Sequence, residues 1–139
     1  MTNTHTDPLE QLIAEDFRAE DRTRLATLLA PYVAFDKNSK ELRFKEPFQG
    51  LVNTDKLEIA FLAEKARALL FKDEANEGLG QGDIIALDIM PAGSVKSTLK
   101  RLFDPKQIRK SSNGKYTIPN YRLLELFNKY IAKEDKNEK

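Results

Sequence analysis

Residues Ser97 to Lys100 read Ser-Thr-Leu-Lys, a Ser-x-x-Lys spacing that elsewhere marks an acylating serine, since one helical turn puts hydroxyl and amine on the same face. Acylation also needs a desolvated lysine, an oxyanion hole and a substrate cleft. The surrounding segment is PAGSVKSTLKRL, Pro91 to Leu102, with Arg101 next to Lys100. At about 100° per residue both cations fall opposite Val95, Leu99 and Leu102. A lysine turned to solvent is not the base that acylation needs, so no catalytic residue is assigned and no enzyme is expected. Gly78-Leu79-Gly80-Gln81-Gly82-Asp83 precedes a helix but lacks the Gly-Lys-Ser/Thr of a phosphate-binding loop and the strand before it. It is expected to be a flexible connector. His5 is the only histidine and there is no cysteine, so no His-based triad, thiolate site or zinc site is expected, and no cofactor.

What remains on the outward face of that segment is Gly93, Ser94, Ser97, Lys100 and Arg101, with Lys96 on the shoulder. A missing side chain and short hydroxyls, followed by cations, suit close approach to a phosphate-lined groove. Amide groups at the helix start bind phosphate, hydroxyls reach bases or backbone, and cations displace counterions. The net charge of +1 conceals an asymmetry. Residues 1–90 hold eleven Lys/Arg against seventeen Asp/Glu, whereas 91–122 hold eight against Asp104 alone, and 123–139 balance at four each. Such a split points to a polyanion partner for the basic third, or to docking of that third on the acidic one.

The elements that must carry this face follow from periodicity. Pro8 opens a helical pattern with Leu9, Leu12, Ile13 and Phe17 on one stripe, after a polar start expected to be disordered. Leu25, Leu28 and Leu29 continue in a second helical segment ended by Pro31. Residues 32–35 and 42–44 read as a small hairpin about Asp36-Lys37-Asn38-Ser39. Asp55 with Glu58 forms a capping-box-like pair, and the helix after it carries Leu57, Phe61, Leu62, Ala66, Leu69 and Leu70 on one stripe. A short helix over 83–88 turns Ile84 and Leu87 inward. Residues 107–118 form a hairpin about Ser111-Ser112-Asn113-Gly114, where Asn-Gly is a strong turn signal. A last helix over 120–132 places Leu123, Leu124, Phe127, Tyr130 and Ile131 on one side, while Tyr116 and Tyr121 are expected to pack. Three regions result: 1–50, an N-terminal extension of helices and a hairpin; 51–132, a helix and hairpin domain; and 133–139, a charged flexible tail.

The order short helix, tight turn through Ile89-Met90, basic helix and basic hairpin, written "MPAGSVKSTLKRL" and then "QIRKSSNGKYTIPNY", resembles the prokaryotic winged helix-turn-helix regulators over roughly residues 53–120. That resemblance implies a mainly α fold with small β-hairpins, an α+β winged helix-turn-helix carrying an N-terminal extension. It implies double-stranded DNA binding, plausible for a transcriptional or mobile-element regulator, with 91–103 as recognition helix and 107–118 as wing. By it, Gly93, Ser94, Lys96, Ser97, Lys100 and Arg101 enter the groove, and Arg109, Lys110, Asn113 and Lys115 serve the wing. Such regulators often place Gly where Ile89 stands, so the turn is expected to be made differently here. The alternative is a winged-helix assembly adaptor that binds protein and not DNA. A homodimer through the N-terminal segment is expected, since the Leu9 to Phe17 stripe needs cover. The longest uncharged run, Leu25 to Phe35, is too short to cross a membrane. The start lacks a signal peptide's basic flank and apolar stretch, so a cytoplasmic protein without membrane contact is expected.

Overall fold

The computed structural model describes residues 8–9, 19–73 and 76–137, with the backbone alone for Ala19 and 132–137. Its axis is a helix over Asn53–Leu70, designated α2, in which Leu57, Ile59, Ala60, Phe61, Leu62, Ala63 and Ala68 are all buried. A surface helix would bury one stripe. Here α1 (Ala19–Leu29) and α4 (Ala92–Phe103) both pack on α2, and α5 (Leu123–Asn137) packs on α1 and reaches α2 with its side chains. The one broad stripe expected for α2 thus misses part of its buried surface, and Leu70, expected on that stripe, is 53% exposed. Its charged residues Glu58, Glu64 and Lys65 are themselves buried, which requires a partner for each.

Those partners correct the capping reading. The residue before α2 is Val52, and no side chain caps the helix. Asp55 and Glu58 point away from the helix start to Lys129, and Glu58 also to Tyr130. A carboxylate near a helix start has two uses, and here the tertiary partner wins over the local amide.

Leu25, Leu28 and Leu29 line the inner side of α1. The chain then turns at Pro31 into β1 (Val33–Phe35), paired antiparallel with β2 (Leu42–Phe44) so that Val33 faces Phe44 and Phe35 faces Leu42. Asp36 shapes the turn by accepting the amides of Asn38 and Ser39 at 2.9 and 2.8 Å. A 3-10 turn over Glu46–Gly50 buries Phe48 against Phe44, with ring centroids 4.2 Å apart. Leu25, Leu28, Val33 and Phe48 share one core with Leu57, Ile84, Val95, Ile108, Ile118 and Leu126. The boundary drawn at residue 50 therefore marks no break in packing. Of the apolar stripe proposed upstream, Leu9 is 68% exposed, and Leu12, Ile13 and Phe17 lie outside the described residues.

At the other end, the expected helix over 120–132 begins instead with a 3-10 turn over Asn120–Arg122, and α5 runs on past Ala132 to Asn137. Lys and Glu are good helix formers, so a run of charges need not end a helix. Leu123, Leu126 and Tyr130 are buried, whereas Leu124 is 51% exposed. Among the described residues, no helix is long and apolar enough to cross a membrane.

Candidate nucleic-acid interface

A short helix, α3 (Gln81–Leu87), packs on α4 and buries Ile84. At its start the Gly80 amide donates to Asp83 Oδ2 at 2.8 Å. Its end explains how the chain turns without a glycine at Ile89. Asp88 takes the left-handed conformation, φ 56 and ψ 41, with its amide on the Ile85 carbonyl at 3.0 Å. Aspartate tolerates this region better than a β-branched residue. Ile89 and Met90 are thereby released to the core at 5% and 7% exposure.

Helix α4 begins at Ala92, one residue later than Pro91, whose carbonyl accepts the Ser94 amide at 2.8 Å. Val95, Thr98, Leu99 and Leu102 are buried, and Gly93, Lys96, Ser97, Lys100 and Arg101 are exposed, the facing expected from periodicity. Ser94 is half-buried. Its carbonyl accepts both the Thr98 hydroxyl at 2.7 Å and the Ser97 hydroxyl at 3.1 Å. The Ser97 oxygen therefore faces outward with lone pairs to offer. Lys100 lies 3.6 Å from Asp104, an exposed pair, and the Ser97 hydroxyl is directed to a carbonyl and not to this amine. Lys96, Arg101, Arg109 and Lys110 form no ion pair among the described residues.

The second hairpin joins β3 (Arg109–Lys110) to β4 (Tyr116–Thr117), anchored by buried Ile108 and Ile118. Its turn is not the two-residue Asn-Gly form. Ser111 N–H donates to Lys115 at 2.8 Å, Gly114 N–H donates to Ser111 at 3.0 Å, and Gly114 alone takes a positive φ, 83°. This is a three-residue loop closed by a glycine bulge. Asn113 Oδ1 accepts the Lys115 amide at 3.1 Å and the Ser111 hydroxyl, so Asn113 shapes the tip.

The glycine-rich segment expected to be a flexible connector is instead docked on this hairpin. Leu79 exchanges both backbone hydrogen bonds with Tyr116, at 2.9 and 3.0 Å. Gly78 has φ 140°, and a Cβ there would meet Lys115 Cβ at 3.0 Å and the Tyr116 carbonyl at 3.3 Å. Only glycine allows that approach. The Gly78 amide donates to Glu64 Oε2 at 3.0 Å, and Glu64 in turn holds Arg67 with two bonds of 2.8 Å.

Not all the expected wing cations point outward. Arg109 and Lys110 are exposed, and the Lys110 ammonium lies 5.6 Å from the Tyr116 ring centre. Lys115 instead sits 3.8 Å from Asp83 Oδ2. It also helps hold the Asp73 carboxyl below the usual range, after hydrogen bonds from Asn76 and Arg67.

Glu58 on α2 centres a buried ionic cluster. Glu58 accepts Lys129 at 2.8 Å, Tyr130 at 2.9 Å and Arg122 at 3.4 Å. Arg122 also donates to the Gln107 carbonyl at 3.1 Å and to Glu125 at 3.0 Å, tying the approach to β3 onto α2. Burial, then the Glu58 and Asp55 charges, push the Tyr130 hydroxyl far above its ordinary pKa. Burial opposes the Lys129 charge, yet hydrogen bonds to Glu58 and Asp55 hold its pKa above the ordinary value.

Sequence reasoning passed over Phe103 and Lys106, and its expectation that Tyr121 packs is corrected. Tyr116 packs as expected, edge-on to Phe103 at 5.7 Å, but Tyr121 is 68% exposed. The 3-10 turn has three residues per turn, which directs Arg122 into the core and Tyr121 out. Pro119, which precedes that turn, was the available signal. Compared with known protein families, curated proteins and solved structures, the chain matches none.

Proposed function

We propose that the chain is a winged helix-turn-helix protein that binds double-stranded DNA without catalysing a reaction on it. α4 is the helix that enters the major groove, and the β3–β4 hairpin is the wing that meets the backbone. The observation that carries this reading is the sorting of charge: Lys96, Lys100 and Arg101 on the outward side of α4 and Arg109 and Lys110 on β3 are exposed, while the acids of α2 face inward partners. The Leu79–Tyr116 bridge fastens the segment between α2 and α3 to the hairpin, which supports the reading by holding the hairpin in place. On this reading Gly93 permits close approach, Ser94 and Asn113 shape the backbone they belong to, and Lys115 contributes less than Lys110.

Base contacts discriminate sequence, whereas phosphate contacts strengthen binding to every duplex. Lys110→Ala should weaken preferred and random duplexes alike and lower the salt slope by about one unit. Ser97→Ala should leave that slope unchanged and weaken only a site selected from a random pool. Fluorescence anisotropy of labelled duplexes reads both. A Ser97 variant that matches the wild type on both duplexes would reduce α4 to a support for the wing.

The assembly reading has its own observation. Phe103 is 42% and Leu124 51% exposed, and a protein partner would cover them. Salt-independent, weak duplex binding would favour it. Self-association through the N-terminal segment remains a proposal as well. Sedimentation of the full chain as a monomer at high micromolar concentration would remove it.

A further inference from the structure

Where α4 ends, the chain opens a groove of about 460 Å³ lined by Phe103, Lys106, Arg109, Lys110, Pro119 and Tyr121. Its composition is unlike the outward face of α4. Tyr121 stands 68% exposed and Phe103 42% exposed. Lys106, Arg109 and Lys110 supply three cations against the one acid of the lining, Asp104, which already lies 3.6 Å from Lys100. Arg109 and Lys110 belong to β3, and Phe103 is the last residue of α4, so the groove continues directly from both halves of the proposed duplex interface.

Lys106 adds an independent observation. α4 closes with Lys106 N–H on the Phe103 carbonyl at 2.9 Å and Gln107 N–H on the Leu102 carbonyl at 2.8 Å, the paired bonds of a helix stop that glycine usually completes. Lys106 takes the left-handed conformation there, with φ 63°. Glycine would adopt it without a side-chain penalty. The position instead presents an ammonium to the groove.

We propose that this groove binds unpaired nucleotides of a DNA strand running off the duplex held by α4 and β3. Exposed aromatic faces stack on bases of any sequence, and cations beside them track the phosphates; this combination is how proteins hold single strands. A plain duplex offers the Tyr121 ring no base face, because its bases are stacked on each other. An apolar protein partner would use Phe103 but would leave three cations without counter-charges. The inference rests on the duplex reading for the position of the double-stranded arm.

The test uses anisotropy with four probes of one sequence: a blunt duplex, the same duplex with a four-nucleotide 5′ overhang, the same duplex with a four-nucleotide 3′ overhang, and the single strand alone. One overhang should bind more tightly than the blunt duplex by about 5-fold to 150-fold, the range that stacking of one base supplies. Tyr121→Ala should remove that gain and leave blunt-duplex affinity unchanged, and Tyr121→Trp should retain it. Lys106→Gly should weaken the overhang probe while leaving the melting temperature equal or higher, which a merely structural lysine would not do. Equal affinity for blunt and overhang probes, or a gain that survives Tyr121→Ala, overturns the proposal and leaves the duplex reading intact. Failure of the blunt duplex to bind, with Tyr121-dependent binding of an overhang probe and of the single strand, overturns the duplex reading and upholds the groove.

Discussion

Glu58→Gln keeps the shape of a buried side chain and removes the charge that three donors share. The Glu58 side chain is 4% exposed and that of Arg122 5%, whereas Lys129 is 43% exposed. Removing one partner of a buried pair costs about 3–5 kcal/mol. Two features reduce that figure here: the amide oxygen still accepts one or two of the donors, and Lys129 keeps Asp55 at 3.0 Å and access to water. Against this, the new amide hydrogens face Arg122, which has donors only, and the Arg122 Nε is already buried without a partner among the described residues. The balance is about 3 kcal/mol, a large part of a typical 5–15 kcal/mol domain stability. In urea at neutral pH this should lower the midpoint by about 1.5–2 M for an m-value near 1.5–2 kcal/mol/M. Glu125→Gln is the control. Its carboxylate also bonds Arg122, at 3.0 Å, but is 63% exposed, so the cost should stay below about 1 kcal/mol. A loss under about 1 kcal/mol for Glu58→Gln, or equal losses for the two variants, would refute the view that this cluster fastens α5 and the approach to β3 onto α2.

Three further outcomes are expected. Gly78→Ala combines a φ of 140° with a 3.0 Å contact to Lys115 Cβ and a 3.3 Å contact to a carbonyl, and should cost about 2–4 kcal/mol in the same urea assay; a neutral effect would mean that the segment at Leu79 is not held against β4. The folded-state pKa of Tyr130 and of Lys129 is raised, so the stability they confer is complete below their ordinary values of 10.0 and 10.5 and is lost as pH rises above them. Tyr130→Phe should flatten the fall in stability above about pH 10, and a slope identical to wild type in that window would contradict the assignment. A chain beginning at Leu51 lacks Leu25, Leu28, Leu29, Val33 and Phe48, all buried in the shared core; at about 1.5–3 kcal/mol each their loss matches a whole domain's stability. That chain should show no cooperative melt by circular dichroism, and a sharp transition would restore residue 50 as a domain boundary.

The parts legible in the sequence are those set by local rules. The Val95, Leu99 and Leu102 stripe fixes the orientation of α4, and the Lys/Arg clustering in 91–122 identifies its basic side. Pro31 and the Asp36 turn define the first hairpin. What escaped depends on contacts remote in the chain. Glu58 resembles a cap until Lys129, Tyr130 and Arg122 arrive from some 64 to 72 residues away. Gly78 looks like slack until β4 presses on its backbone. Asp88, not Ile89, turns the chain because only the tertiary packing decides which residue is released to the core. Lys115 belongs to the basic segment by sequence, yet its place in the fold sets it beside Asp83. Tyr121 and Arg122 exchange inside and outside because a 3-10 turn replaces the first turn of a helix.

The central claim is that a cationic surface made by α4 and β3 holds duplex DNA. Anisotropy of a labelled mixed-sequence duplex, titrated with the full chain at several salt concentrations, tests it most directly. Lys96, Lys100, Arg101, Arg109 and Lys110 are the outward cations. If each neutralises one phosphate, log K should fall against log salt with a slope of about −4.5. A slope near zero with weak binding at low salt would contradict the claim.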